Sequence, residues 1–120
     1  MKVEGIDHVA LSVRDLAKAT EWYQRVLGLQ RRHADVWGDE PTFLCSGNTC
    51  LALFPTETSS PQFLHLALRV DRQTFEIAQR ELKALGIEFR FADHGIAHSI
   101  YFSDPDGHQL EITTYEVKSK

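Results

Sequence analysis

The sequence predicts an α+β fold made of two βαβββ modules, and three observations carry that prediction. The first is an internal repeat: His8-Val9-Ala10-Leu11-Ser12-Val13 matches His65-Leu66-Ala67-Leu68-Arg69-Val70 at four of six positions. The second is that each copy is followed by the same helix signature. The third is that each half then continues with three strand signals separated by turn residues.

The helices come first. After Asp15 the apolar residues Leu16, Ala19, Tyr23 and Val26 lead to Gly28, and after Asp71 the set Phe75, Ala78, Leu82 and Leu85 leads to Gly86. Both sets are spaced 3, 7 and 10 from their first member, which is one face of an amphipathic helix. Each aspartate suits a helix N-cap, and each glycine suits the left-handed residue that ends a helix. Trp22 flanks the first apolar stripe and reads as packing.

The strands follow. In the first half they are Leu29 to Trp37, Thr42 to Cys45 and Thr49 to Phe54, broken by Gly38-Asp39-Glu40-Pro41 and Ser46-Gly47-Asn48. In the second half they are Ile87 to Phe91, His98 to Ser103 and Gln109 to Tyr115, broken by His94-Gly95 and Asp104-Pro105-Asp106-Gly107. The last break has the residues of a type I turn. The modules are therefore 1–56 and 63–118, joined by a linker at 57–62 that includes a solvated Glu57. A helix covers one face of each sheet, and the other face needs a partner. Pairing two modules would cup those faces into a mixed sheet around a central cavity, a natural ligand site. Whether the modules pair within one chain or are exchanged between two is left open by the sequence.

Composition sets the class. The chain has 120 residues, 42% hydrophobic and 25% charged, which fits one soluble globular domain. A net charge of −4 argues against nucleic acid or an anionic membrane as partner. No apolar run is long enough for a membrane-spanning helix, and the start Met1-Lys2-Val3-Glu4-Gly5 lacks the apolar stretch of a secretory signal, so a cytoplasmic location is expected. Cys45 and Cys50 flank a hairpin turn. A cross-strand disulfide between them is conceivable, but without a signal peptide two reduced, half-buried thiols are expected. No second Cys or His pair stands at zinc-finger spacing.

Strand alternation assigns faces. With Val9, Leu11 and Val13 toward the helix, His8, Ala10 and Ser12 point the other way. With Leu64, Leu66, Leu68 and Val70 toward the helix, His65, Ala67 and Arg69 do the same. With Leu110 and Ile112 inward, Gln109, Glu111, Thr113 and Tyr115 take the remaining face. If the modules pair as drawn, His8, His65 and Glu111 converge on one cup. Two neutral imidazoles and a carboxylate suit a divalent ion with positions left open for water or substrate. A lone strand histidine is ordinarily just a hydrogen-bonded residue. The equivalent placement of two histidines in a repeat, with a glutamate on the matching face, is what points to a metal. Mn, Fe, Zn, Ni and Co are not distinguished by such ligands.

The chain resembles the vicinal oxygen chelate superfamily, which includes glyoxalase I, fosfomycin-resistance proteins, extradiol dioxygenases and bleomycin-resistance proteins. The resemblance rests on Gly5-Ile6-Asp7-His8-Val9-Ala10-Leu11, on Phe63-Leu64-His65-Leu66-Ala67-Leu68 and on Tyr101-Phe102-Ser103-Asp104-Pro105-Asp106-Gly107-His108-Gln109-Leu110-Glu111. It implies paired βαβββ modules, a divalent metal on His8, His65 and Glu111, chelation of a small-molecule substrate through adjacent oxygens, and homodimers. The chemistry implied is that of a glyoxalase-like lyase or isomerase. Alternatives are extradiol ring cleavage with Fe(II), epoxide opening as in fosfomycin resistance, and a binding module without catalysis. Glyoxalase I carries a fourth ligand at the position matching Ala52, which cannot bind a metal. The lysine that fosfomycin-resistance proteins place before the strand matching His98 to Ser103 falls near Phe91, leaving Arg69 and Arg90 as cations for a phosphonate. The segment from His94 through Tyr101 to Glu111 resembles the proton-handling region of extradiol enzymes.

Tyr101 is the expected proton donor, and Ser99, Arg69 and Thr113 are the expected substrate contacts. His94 and His98 are candidate acid–base groups by their ordinary imidazole pKa, and His33 and His108 are expected at the surface. The cavity lining from the middle strands, Phe43, Cys45, Ala52 and Phe54, is small and apolar.

Overall fold

A computed structural model describes Lys2 and residues 4–56 and 65–117. The chain divides into two compact units, Met1–Ser60 and Pro61–Lys120. The linker 57–62, Glu57 and Leu64 lie outside the described residues.

The first unit runs β1 (Val9–Val13), α1 (Leu16–Leu27), β2 (Gln30–Arg32), α2 (Ala34–Trp37), β3 (Thr42–Ser46) and β4 (Thr49–Pro55). Its sheet has the order β1-β4-β3-β2, with β1 parallel to β4 and the other pairs antiparallel. The second unit runs β5 (His65–Arg69), α3 (Arg72–Ala84), β6 (Arg90–Asp93), β7 (His98–Ser103) and β8 (Gln109–Thr114), in the order β5-β8-β7-β6. Here β5 is parallel to β8 and the rest antiparallel. The α+β class and the two modules are thus as the repeat predicts.

Local chemistry explains the helices. Asp15 caps α1 by accepting from the Lys18 amide, and Asp71 caps α3 by accepting from the Thr74 amide, each satisfying an orphan donor of the first turn. The Thr74 hydrogen bonds hold the Asp71 carboxyl below its ordinary value. Gly28 ends α1 in the left-handed region, at φ 67°, where a Cβ would be strained. On α1 the buried residues are Ala19, Trp22, Tyr23 and Val26, and on α3 they are Phe75 and Leu82. Leu11, Val13, Leu44, Leu51 and Leu53 are buried with them in one unit, and Ile100, Phe102, Leu110 and Ile112 in the other. Full burial of Phe75 contributes about 1.5–3 kcal/mol relative to exposure.

Four expectations need correction. The strand expected over Ile87 to Phe91 starts later, at Arg90, and runs to Asp93. The segment Leu29 to Trp37 is not one strand. Only Gln30–Arg32 is extended, because His33 adopts a left-handed conformation (φ 63°) and turns the chain into the short helix α2. Cys45 and Cys50 are not free thiols. They face each other directly across the β3–β4 hairpin, with Cα atoms 4.1 Å apart, and form a disulfide. His108 is not a surface residue. Asp104 accepts hydrogen bonds from the amides of Asp106 and His108, and this folds the 104–107 turn back and leaves His108 only 5% exposed.

Candidate metal centre

In the second unit the face opposite α3 is polar, and pairing register explains which residues share it. Ala67 and Tyr101 flank Glu111 from β5 and β7, Arg69 and Ser99 flank Thr113, and His65 stands opposite Gln109. Arg90 pairs with Tyr101 from β6. His65, Glu111, Ser99, Thr113, Tyr101, Arg69 and Arg90 are therefore neighbours on one sheet surface.

Glu111 is its centre. Only 9% of this residue is exposed, so its carboxylate needs partners. Ser99 Oγ lies 2.7 Å from Oε2 and 2.9 Å from Thr113 Oγ1. A hydroxyl has one proton to give, and the carboxylate can only accept. Ser99 therefore donates to Glu111, and Thr113 turns its own proton toward Ser99 or toward the His98 carbonyl at 3.3 Å. Two of the three residues expected to touch substrate are thus buried, Ser99 bonded to the carboxylate and Thr113 to Ser99. The other oxygen, Oε1, stands 3.4 Å from His65 Nε2. A charge-assisted hydrogen bond would be shorter, about 2.7–2.9 Å. Two donors each about 2.1 Å from one tetrahedral ion stand about 3.4 Å apart, so this spacing fits a shared cation.

Tyr101 has a proton partner. Its hydroxyl is 2.8 Å from His94 Nε2, which the β6–β7 hairpin carries over from its tip, and the Arg90 guanidinium lies 4.8 Å above the Tyr101 ring. Arg69 is held in the same way, 5.5 Å over the Tyr115 ring. His98 points to the other face of the sheet. There its Nδ1 meets Arg72 at 2.9 Å and its Nε2 meets Asp93 at 3.5 Å, so it belongs to the packing around α3.

His8 precedes β1 in the first unit. Its Nδ1 is 2.8 Å from Asp7 Oδ2, and its ring packs 4.9 Å from Phe43. Asp7 is a neighbour of His8 that strand alternation does not find. The acid beside a candidate ligand is the available signal, because a carboxylate on Nδ1 fixes the tautomer that leaves Nε2 free to bind a metal. Among the described residues no group of three or more His, Cys, Asp and Glu side chains is assembled at ligand distance. The second unit brings His65 and Glu111 together.

The second unit thus sets a histidine and a buried glutamate together on the sheet face opposite its helix, within a duplicated scaffold. The chain belongs to the Glyoxalase/Bleomycin resistance protein/Dioxygenase superfamily, whose model matches residues 5–112, and so to the vicinal oxygen chelate superfamily. It is 30% identical to the metallothiol transferase FosB of Staphylococcus epidermidis over 130 aligned positions, covering 100% of this chain and 88% of that protein. The crystal structure of the fosfomycin resistance protein FosX from Mesorhizobium loti superposes with a TM-score of 0.73 at 26% identity, covering 94% of this chain and 93% of that one. The lactoylglutathione lyase of Agrobacterium tumefaciens, at 22% identity and a TM-score of 0.78 over 95% of this chain and 96% of that one, shares the fold.

Proposed function

We propose that the protein is a divalent-metal-dependent enzyme that binds a small organic substrate through adjacent oxygens, with His8, His65 and Glu111 as the metal ligands. The observation that supports this reading is the His65–Glu111 pair, set at ligand spacing with the second carboxylate oxygen already satisfied by Ser99. When bound, the ion supplies a Lewis acid that holds the two substrate oxygens and stabilises negative charge developing on them. His8 comes from the first module of the same chain or of a second copy, and the protein acts as a homodimer.

The chain's own residues do the rest. Ser99 and Thr113 hold Glu111 in one rotamer, so the ligand set is preorganised. The Tyr101 hydroxyl gives a proton to the reacting oxygen or takes one from it, and His94, in hydrogen-bond contact, restores it. Arg69 and Arg90 bind an anionic substituent on the substrate.

A nucleophile, a thiol by analogy with FosB, opening an epoxide that carries such an anion is the reaction the relatives favour. Glyoxalase-like isomerisation, here without the fourth ligand of glyoxalase I, and extradiol ring cleavage are the competing chemistries. The experiment is metal analysis of protein purified without an affinity-column metal, followed by Mn(II) titration of wild type and His65→Ala. The expected result is one ion per chain in wild type and at least a tenfold weaker affinity in the variant. Equal metal in both would reject the ligand assignment. A screen of fosfomycin with thiols, diketones and catechols then separates the reactions.

A further inference from the structure

We infer that the Cys45–Cys50 disulfide is a redox-active site that exchanges with a low-molecular-weight thiol through Cys50. The inference stands apart from the metal assignment, because it uses other residues and another chemistry.

Position argues against a purely structural staple. The two cysteines are five positions apart in sequence and directly opposed in a hairpin closed by a two-residue turn, Gly47-Asn48, so the β3–β4 ladder already holds their strands together. A cross-link gains most when it closes a long loop, and this one closes a very short loop. Nor is it part of the duplicated scaffold. The matching positions of the second module are Ser103 and Gln109, paired in the same register without a cross-link.

The two sulfurs have unequal surroundings. Cys45 is 2% exposed and packs in an apolar cluster with Phe43 and Ala52, while Cys50 lies at its margin and is only partly buried. The Arg32 guanidinium stands 3.8 Å from Cys50 Sγ. A partly exposed sulfur beside a cation is the one a thiolate reaches, and it is also the one whose own thiolate is favoured after reduction.

The exchange balances in two steps. A thiolate RS⁻ attacks Cys50 Sγ, an RS–Cys50 bond forms, the Cys45–Cys50 bond breaks, and Cys45 leaves as a thiolate that takes a proton from solvent. A second RS⁻ attacks the outer sulfur of the mixed disulfide, RSSR forms, and Cys50 leaves as a thiolate beside Arg32. The protein disulfide is reduced by two electrons and two thiols are oxidised. The reverse sequence reoxidises the pair.

The test equilibrates the full-length wild-type protein in glutathione buffers of increasing reduced fraction. It is then quenched in acid, alkylated and mapped by mass spectrometry. The expected result is a folded protein that passes from disulfide to dithiol within the buffer range, with the transient adduct on Cys50. On the reduced protein, iodoacetamide should modify Cys50 at least tenfold faster than Cys45, and Arg32→Gln should shift that reactivity to higher pH. Cys45→Ser should trap glutathione on Cys50. A disulfide that stays intact at every glutathione ratio while the fold persists, adducts on Cys45, or equal alkylation of the two thiols would overturn the proposal. The wild-type measurements decide it even if a variant fails to fold.

Discussion

The two modules share a strand order, a register and a capped helix, yet the sheet faces opposite their helices have opposite chemistry. Where the second module has Tyr101 facing Glu111, the first has Phe43 facing Ala52. Arg90 beside Tyr101 corresponds to Arg32 beside Phe43. In one module the face is a hydrogen-bonded carboxylate system built on Glu111, Ser99 and Thr113. In the other it is an apolar cluster of Phe43, Cys45 and Ala52. The scaffold depends on the helix-side residues, which are apolar in both halves. The opposite faces were therefore free to diverge, one toward a buried carboxylate network and the other toward an apolar cluster.

Exchanging chemistry between the faces gives the largest expected effect. Ala52→Glu places a carboxylate at the site equivalent to Glu111, in the cluster of Phe43 and Cys45 and without counterparts of Ser99 and Thr113 to hold it. It should cost about 3–5 kcal/mol, the range for an uncompensated buried charge, read as a lower urea midpoint. A cost below about 1 kcal/mol would mean that the first face is not a closed apolar cluster. Next comes the helix side. Leu82→Ala on α3 should cost about 2–5 kcal/mol, and Tyr23→Ala, at the matching place on α1, should cost at least as much because its side chain is larger. A marked inequality in the other direction would show that the duplicated helices do not carry equal weight.

Smaller effects sharpen the site. Ser99→Ala removes the donor to Glu111 Oε2 and should weaken Mn(II) binding by roughly tenfold, as loss of a residue supporting a ligand does, whereas an unchanged titration would limit Ser99 to packing. Tyr101→Phe should leave metal affinity as in wild type and lower turnover, with the pH profile losing one limb. Unchanged turnover would reduce Tyr101 to a wall of the site. The smallest effect is electrostatic. The Asp71 carboxyl lies below its ordinary value of 3.8, so its support of α3 is fully present above that pH and is lost as the solution is acidified through the lowered pKa. Asp71→Asn keeps the cap but should remove that part of the acid dependence, seen as a flatter far-ultraviolet acid titration.

Much of the fold was legible because it is written in short-range physics. Asp15 and Asp71 cap, Gly28 closes a helix, and the apolar spacing of 3, 7 and 10 sets which face each helix buries. Alternation along β5, β7 and β8 was enough to put His65, Ser99, Tyr101 and Glu111 on one surface. What alternation could not show was the partner of each group. Ser99 and Thr113 had the right face, but alternation did not show that Ser99 bonds diagonally across to Glu111 and that Thr113 bonds Ser99 in turn. His94 and His98 looked alike as candidates, but the hairpin brings one to Tyr101 while the strand turns the other toward Arg72.

By itself, then, the sequence determined the duplicated α+β scaffold, its helix boundaries and the polar face of the second module, since caps, turn residues and periodicity act within a few residues. The tertiary structure decided the rest. A left-handed His33 cut the nine-residue segment from Leu29 to Trp37 into a short strand and a helical turn. Strand pairing set Cys45 against Cys50 and brought His65 to 3.4 Å from Glu111. Register and distance across strands are properties of residues far apart in the chain, and no local pattern encodes them.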